Sequence, residues 1–182
     1  MKKLWRISNY CDLSGIGGEK YDARWHTAAR GKRIVYLAEH PAVALVEVLV
    51  NLKGDASTLP EKYQLIEIDV EDRVFEACKA FGKNDWLNSA VAVTQAFGND
   101  WLKSRTSALL AVPSFPSPMS TNYLLNPLHP DASGIRVASC KWIEYDQRLF
   151  RVRNAEFEPI ESKRRPKSKP VPVKRRKQKK AI

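Results

Sequence analysis

The sequence predicts an α+β domain of mixed, mainly antiparallel strands flanked by helices, followed by a disordered basic tail. Two observations carry the fold class. Strand-like and helix-like segments alternate without a regular βαβ rhythm, and no GxGxxG opens a helix after a strand, so a doubly wound nucleotide-binding sheet is not expected. A third sets the limits of the domain. All the excess charge is concentrated in the last 20 residues, which carry too little apolar surface to fold.

The elements follow in order along the chain. Leu4 to Ser8 reads as a short strand. Asn9 to Lys32 is rich in Gly, Asp and Ser, with turn chemistry at Ser14-Gly15 and Gly17-Gly18, and is expected to be a long functional loop. "RIVYLAE" (Arg33 to Glu39) sets Ile34, Tyr36 and Ala38 against Val35 and Leu37, the pattern of a strand. Pro41 suits the first turn of a helix, and Ala42, Leu45, Val46, Leu49 and Val50 then recur at helical spacing as its apolar face. "YQLIEIDV" (Tyr63 to Val70) alternates as a half-buried strand. Asn88 to Ser104 reads as a helix broken or capped near Gly98. "SALLAVPS" (Ser107 to Ser114) is a buried strand ended by proline. "NPLHPD" is a turn, and Gly134 to Asp146 offers a last strand. The paired "NDWL" tetrapeptides at 84–87 and 99–102 are too short to establish a repeat.

Length and charge narrow the function. The 182 residues suffice for one domain with a real core. The expected division is a folded domain over 1–162 and a tail over 163–182. The tail holds 11 Lys/Arg and no acid, while the other 20 cations balance the 20 acids, so the domain itself is formally neutral. The plainest reading of the tail is a solubilising terminus; its functional alternative is nonspecific contact with nucleic acid. A neutral domain with no basic stripe speaks against nucleic acid as its main ligand. There is no run of about 18 apolar residues to span a membrane, and "MKKLWRISNY" lacks the apolar core of a signal peptide. Cys11, Cys78 and Cys140 are odd in number and scattered, which argues against a disulfide framework and a zinc site and fits a reducing cytoplasm.

Familiar catalytic motifs are missing: no GxSxG, HExxH or P-loop occurs, and the three histidines show no metal-ligand spacing. What remains is Arg6, Arg24, Tyr36, Glu47, Ser114 and Asn126, polar residues in apolar or loop contexts. Each has a plain explanation. Arg6 alternates with Trp5 and can face solvent, Tyr36 can be core, Ser114 can end a strand, and Asn126 before Pro127 can start a turn. Glu47 is harder to dismiss. Val46, Val48, Leu49 and Val50 surround it, and a carboxylate buried there would need a cationic partner.

The order of four segments is more specific. "LSGIGGEKYDARWH", "VYLAEHPAVALVEVLV", "ALLAVPS" and "NYLLNPLHPD" together resemble the RES domain family, named for an arginine, a glutamate and a serine, from about Trp5 to Phe150. The resemblance makes Arg24, Glu47 and Ser114 those three residues, with Arg6 and Tyr36 lining the same pocket and Asn126 a binding candidate. It implies a fold similar to ADP-ribosyltransferases. It also implies the toxin of a RES–Xre toxin–antitoxin pair that consumes NAD+ as substrate rather than holding it as a cofactor. The nicotinamide–ribose bond would break with phosphate or water as acceptor, or with a protein as acceptor in some relatives. The implied partner is an antitoxin with an Xre-type helix-turn-helix region, in a cytoplasmic complex that can include a toxin homodimer. One departure stands out: the family usually writes Gly-Gly-Arg-Trp-Asn where this chain has Asp22-Ala23-Arg24-Trp25-His26, removing two glycines just before the key arginine.

Overall fold

The computed structural model describes residues 1–52, 60–82, 86 and 88–151. The 163–182 tail and the boundary at 162 lie outside the described residues, as does most of the first "NDWL". Seven strands form one sheet: β1 (Lys2–Ile7), β2 (Val35–Ala38), β3 (Lys62–Val70), β4 (Lys79–Ala80), β5 (Leu109–Pro113), β6 (Thr121–Leu125) and β7 (Ile135–Glu144). Their order across the sheet is β4-β5-β6-β2-β1-β3-β7, antiparallel throughout except for the short parallel pair β4–β5. The helices are α1 (Pro41–Asn51), α2 (Asp72–Glu76), α3 (Val91–Ser104) and α4 (Arg148–Arg151), with 3-10 turns at Ile16–Glu19 and Pro130–Gly134. The expected α+β class, mainly antiparallel, is what the chain adopts.

The sheet has a narrow waist. β1 pairs with β3 along six residues, and β2 with β6 along four, yet β1 meets β2 in register only at Trp5 and Ala38. Two half-sheets are therefore joined at one point, and their edges diverge on either side of it. One face packs Leu4, Val35, Leu37, Ile66, Ile68, Val70, Leu109 and Leu125 into the main core, closed by Val74 of α2 and by Ile135. The other face is covered in two places. Trp25 and Trp101 of α3 pack on Ile34, Leu110, Val112 and Leu124. Val43 and Ala44 of α1 pack on Ala38, with Trp5 and Ile7 beside them. β2 is buried on both sides because it is the central strand under both covers.

Four expectations need correction. The apolar face assigned to α1 was displaced: Val43 and Ala44 are the buried pair, Leu45, Val46 and Leu49 are half-buried, and Ala42 and Val50 are exposed. In so apolar a helix several faces fit the spacing, and contact with β2 decides among them. Gly98 neither breaks nor caps α3, which runs through it; the glycine is there because a β carbon would lie 1.9 Å from the carbonyl oxygen of Trp25. Cys11 and Cys140 form a disulfide, with Cα atoms 6.2 Å apart, contrary to the reading of scattered, unpaired cysteines. Proximity across 129 residues is invisible to spacing. Finally, α2, β4 and β6 are elements that the sequence reading does not include: the first two are very short, and "TNYLL" carries no element in it.

Candidate active site

A cleft of about 550 Å³ opens where the half-sheets diverge, between α1 and the loop that carries Arg24. His40 caps α1, its Nδ1 accepting from the Ala42 N–H at 3.2 Å, and Pro41 fills the first turn. The helix so oriented turns Ala44, Glu47, Val48 and Asn51 toward the cleft. Glu47 Oε1 accepts from Ser114 Oγ at 2.8 Å and from Asn122 Nδ2 at 2.5 Å. Ser114, fully buried just past β5, also accepts the Ser117 N–H at 3.2 Å, and its own N–H donates to the Ser120 carbonyl. Its one hydroxyl proton is therefore committed to Glu47. Ser114 stands behind the carboxylate and does not line the cleft.

The expected cationic partner of Glu47 is corrected here. Among the described residues Glu47 forms no ion pair; two neutral donors hold it instead. A half-buried carboxylate keeps contact with water, so hydrogen bonds suffice where full burial would demand a cation.

Arg24 is held through its backbone. α3 clamps the loop by three side chains: Thr94 Oγ1 donates to the Arg24 carbonyl at 2.6 Å, Gln95 Nε2 to the Ala23 carbonyl at 2.9 Å, and Asn99 Oδ1 accepts from the Thr27 N–H at 3.2 Å. Trp25, 3% exposed, anchors the turn in the core. The guanidinium lies 3.3 Å from the Phe115 ring centroid, a cation–π contact, and its buried Nη1 has no hydrogen-bond partner among the described residues. Burial pushes the Arg24 pKa down from a value so high that the group stays charged. The missing glycines do no harm to this turn: among the described residues only Arg105, besides glycine, has positive φ, so Asp22 and Ala23 sit in ordinary conformations. Asp22 gains a task, accepting the Ala28 N–H at 2.7 Å and closing the loop.

Tyr36 projects from β2 into the cleft, its hydroxyl 2.9 Å from His26 Nδ1. Burial raises the Tyr36 pKa far above its usual range and lowers that of His26, so both are neutral at pH 7. Arg6, on β1, gives Nη1 to the Asp12 carbonyl at 2.9 Å; burial lowers its pKa and the Asp12 charge opposes this. Arg6, Arg24, Tyr36 and Glu47 thus share one cleft, with Ser114 one bond behind. Asn126 does not join them. It is 2% exposed at the end of β6, donates to the Leu102 carbonyl at 3.3 Å and accepts the Leu128 N–H at 3.0 Å, so its place in the binding set is corrected to a fold-supporting one.

Sequence reasoning missed Asn122, Phe115 and His26. Asn122 follows the unanticipated start of β6. Phe115 lies one residue beyond Ser114 in "VPSFPS". The signal for His26 was present, since it occupies the position where the resembled pattern has asparagine.

Comparison with known proteins bears on the whole described region. The RES domain matches residues 3–149. A protein of Pseudomonas putida named "Toxin Res" is 40% identical over 147 residues, covering 81% of this chain and 99% of its own. One of Sphingobium sp. named "Prs ADP-ribosylating toxin" is 37% identical over 160 residues, covering 81% and 96%. Among solved structures, the Mycobacterium tuberculosis MbcT–MbcA toxin–antitoxin complex contains a chain of like fold, with a TM-score of 0.59 at 20% identity over 79% of this chain and 84% of that one.

Proposed function

The chain belongs to the RES domain family, and on that premise we propose that it is the toxin of a toxin–antitoxin pair that depletes NAD+ by cleaving the nicotinamide–ribose bond. The observation that carries this reading is the Glu47 carboxylate, fixed by Ser114 and Asn122 and facing a cleft that also holds Arg24, Tyr36 and Arg6. Breaking the C–N bond leaves positive charge on the ribose and releases nicotinamide as a neutral base, so no strong general acid is needed. A pre-positioned carboxylate stabilises that charge as it develops. Among the described residues only Oε1 is engaged by protein donors, which leaves Oε2 for the ribose. The neutral Tyr36 hydroxyl, backed by His26, orients a ribose hydroxyl. The Arg24 Nη1 without a partner suits an anionic oxygen, either of the pyrophosphate or of an incoming phosphate. Ser114 is a positioning residue, since no histidine is placed to activate it.

With water as acceptor the products are ADP-ribose, nicotinamide and a proton; with phosphate, a 1″-phosphorylated ADP-ribose and nicotinamide. A protein acceptor is the second reading, favoured by the name of the Sphingobium relative. The partner we propose is an antitoxin, a reading supported by the toxin–antitoxin complex that contains a chain of like fold; its Xre-type helix-turn-helix region is what the family resemblance implies. Incubating the purified chain with NAD+, with and without phosphate, and resolving the products by mass spectrometry tests the proposal. Nicotinamide should accumulate together with one of the ADP-ribose products. Intact NAD+ under both conditions would overturn NAD+ depletion.

A further inference from the structure

A second cavity, of about 570 Å³, adjoins the catalytic cleft. The two share Arg6, Ile7, Asp22, Ala23 and Tyr36, so Arg6 and Tyr36 form a common wall. Beyond the shared residues the second cavity is lined by Tyr10 and Tyr21, 72% and 73% exposed, with Ile16 at 46%. Large side chains left in solvent around one cavity are an unpartnered apolar rim.

The rim is held in place. The Tyr10 N–H donates to Ser8 Oγ at 3.2 Å, and the neighbouring Cys11 is tied to Cys140 of β7. Asp12 Oδ1 takes both the N–H and the hydroxyl of Ser14, at 2.9 and 2.7 Å. Gly15, at φ +67°, lies so close to the backbone of Ile34 that a β carbon would come within 2.7 Å of its nitrogen. The loop is therefore packed down on the start of β2. Arg6 and Lys20 supply positive charge to the cavity, where Asp12 and Asp22 balance it in sum. Among the described residues Arg6 uses a single guanidinium donor, the one given to Asp12, and the others are open to a ligand.

A dinucleotide whose nicotinamide riboside lies beside Glu47 must place its other half next door. We infer that the second cavity takes the adenosine half of NAD+, with the base stacked on Tyr10 and Tyr21 and the pyrophosphate on Arg6 at the common wall. The inference rests on the NAD+ reading of the cleft. Aromatic faces stack on any base, and the planar guanidinium grips phosphate oxygens in pairs. Two nucleotide halves match two adjoining cavities of nearly equal size. Affinity then comes from a part of the substrate remote from the bond that breaks, which positions the reacting half.

Both tyrosines are exposed, so Tyr10→Ala/Tyr21→Ala is expected to fold normally, and circular dichroism checks this. Two measurements on the full-length protein decide the matter: calorimetric binding of ADP, and cleavage of NAD+ against nicotinamide mononucleotide, which has the same reacting bond but no adenosine. The wild type should bind ADP and prefer NAD+ over the mononucleotide by on the order of 10-fold or more in kcat/KM. The double variant should lose about 10-fold in ADP affinity and gain as much in KM for NAD+, with mononucleotide cleavage unchanged. Wild-type ADP affinity in the variant, no ADP binding by the wild type, or equal use of the two substrates would overturn the subsite. Tyrosine-dependent ADP binding without NAD+ cleavage would keep the subsite and refute the cleavage reading instead.

Discussion

On one wall of the cleft the carboxylate of Glu47 is gripped directly, by Ser114 Oγ and Asn122 Nδ2. On the other wall Arg24 is gripped by its carbonyl, through Thr94 of α3, while its guanidinium rests on Phe115 with Nη1 unbonded. The two charged groups are equally well placed but not equally satisfied. A charge that must meet a transition state is best fixed beforehand, because nothing then has to reorganise. A buried donor left open costs about 1–3 kcal/mol, and an anionic ligand recovers it on binding. On the proposed NAD+ cleavage, the glutamate wall would serve the chemical step and the arginine wall the substrate.

Paired substitutions sharpen that contrast most. Glu47→Gln keeps the shape and removes the charge, so kcat should fall on the order of 10²-fold or more with a modest change in KM. Arg24→Lys keeps the charge and loses the planar fork, so KM should rise, by about 10-fold, more than kcat falls. Steady-state NAD+ cleavage by both variants gives the split. Near-normal kcat for Glu47→Gln would make the carboxylate structural and dissolve the contrast.

The arginine wall can also be broken without touching arginine. Glycine to alanine inside a helix ordinarily stabilises by about 0.5–1 kcal/mol. At Gly98 the new β carbon would fall 1.9 Å from the Trp25 carbonyl oxygen, and a backbone atom cannot swing aside. Gly98→Ala should therefore destabilise by roughly 1–3 kcal/mol or more, as overpacking does, and should push the Arg24 turn off α3. Urea unfolding reads the first effect and the KM for NAD+ the second. An alanine variant as stable and as active as the wild type would show that α3 does not position Arg24.

How much of this was legible in the sequence differs between the two walls. Glu47 stood out because a lone acid in an apolar helix is a local contradiction, and strand alternation in β2 and β3 sufficed to find the sheet. Its partners were less accessible. Ser114 came with the family pattern, but Asn122 sits 75 residues from Glu47 on a strand that the sequence reading does not include. A cation was expected beside Glu47 because sequence gives no measure of burial, and burial decides whether a carboxylate needs a countercharge. The clamp on Arg24 was illegible for a related reason. Thr94, Gln95 and Asn99 look like ordinary helical polar residues, and only the approach of α3 to the loop aims them at backbone. Gly98 was misread as a break because the sequence shows its freedom but not the crowding at Trp25.

The smallest expected effect concerns His26, which backs Tyr36 on the arginine side. His26 is 2% exposed, and burial holds its pKa below the ordinary value near 6.5. Well above the ordinary value, from about pH 7.5, the ring is neutral whether the chain is folded or not, and its titration contributes nothing. As pH falls below that, the unfolded chain takes up a proton that the folded chain refuses, so stability declines until the lowered folded pKa is passed. The charged groups facing the ring are Lys32, which opposes protonation, and Asp22, which favours it; the carbonyls of Gly18 and Tyr21 act with Asp22, but burial outweighs them. His26→Asn removes the titration and leaves an amide able to meet the Tyr36 hydroxyl. The urea midpoint of the wild type should then fall more steeply than that of His26→Asn between about pH 6.5 and 5, with the two curves parallel above about pH 7.5. Parallel curves over the whole range would mean that His26 accepts a proton in the folded protein as readily as in the unfolded one. The Tyr36 hydroxyl would in that case face a cationic ring at low pH, and the arginine wall would carry a pH-dependent charge that the glutamate wall lacks.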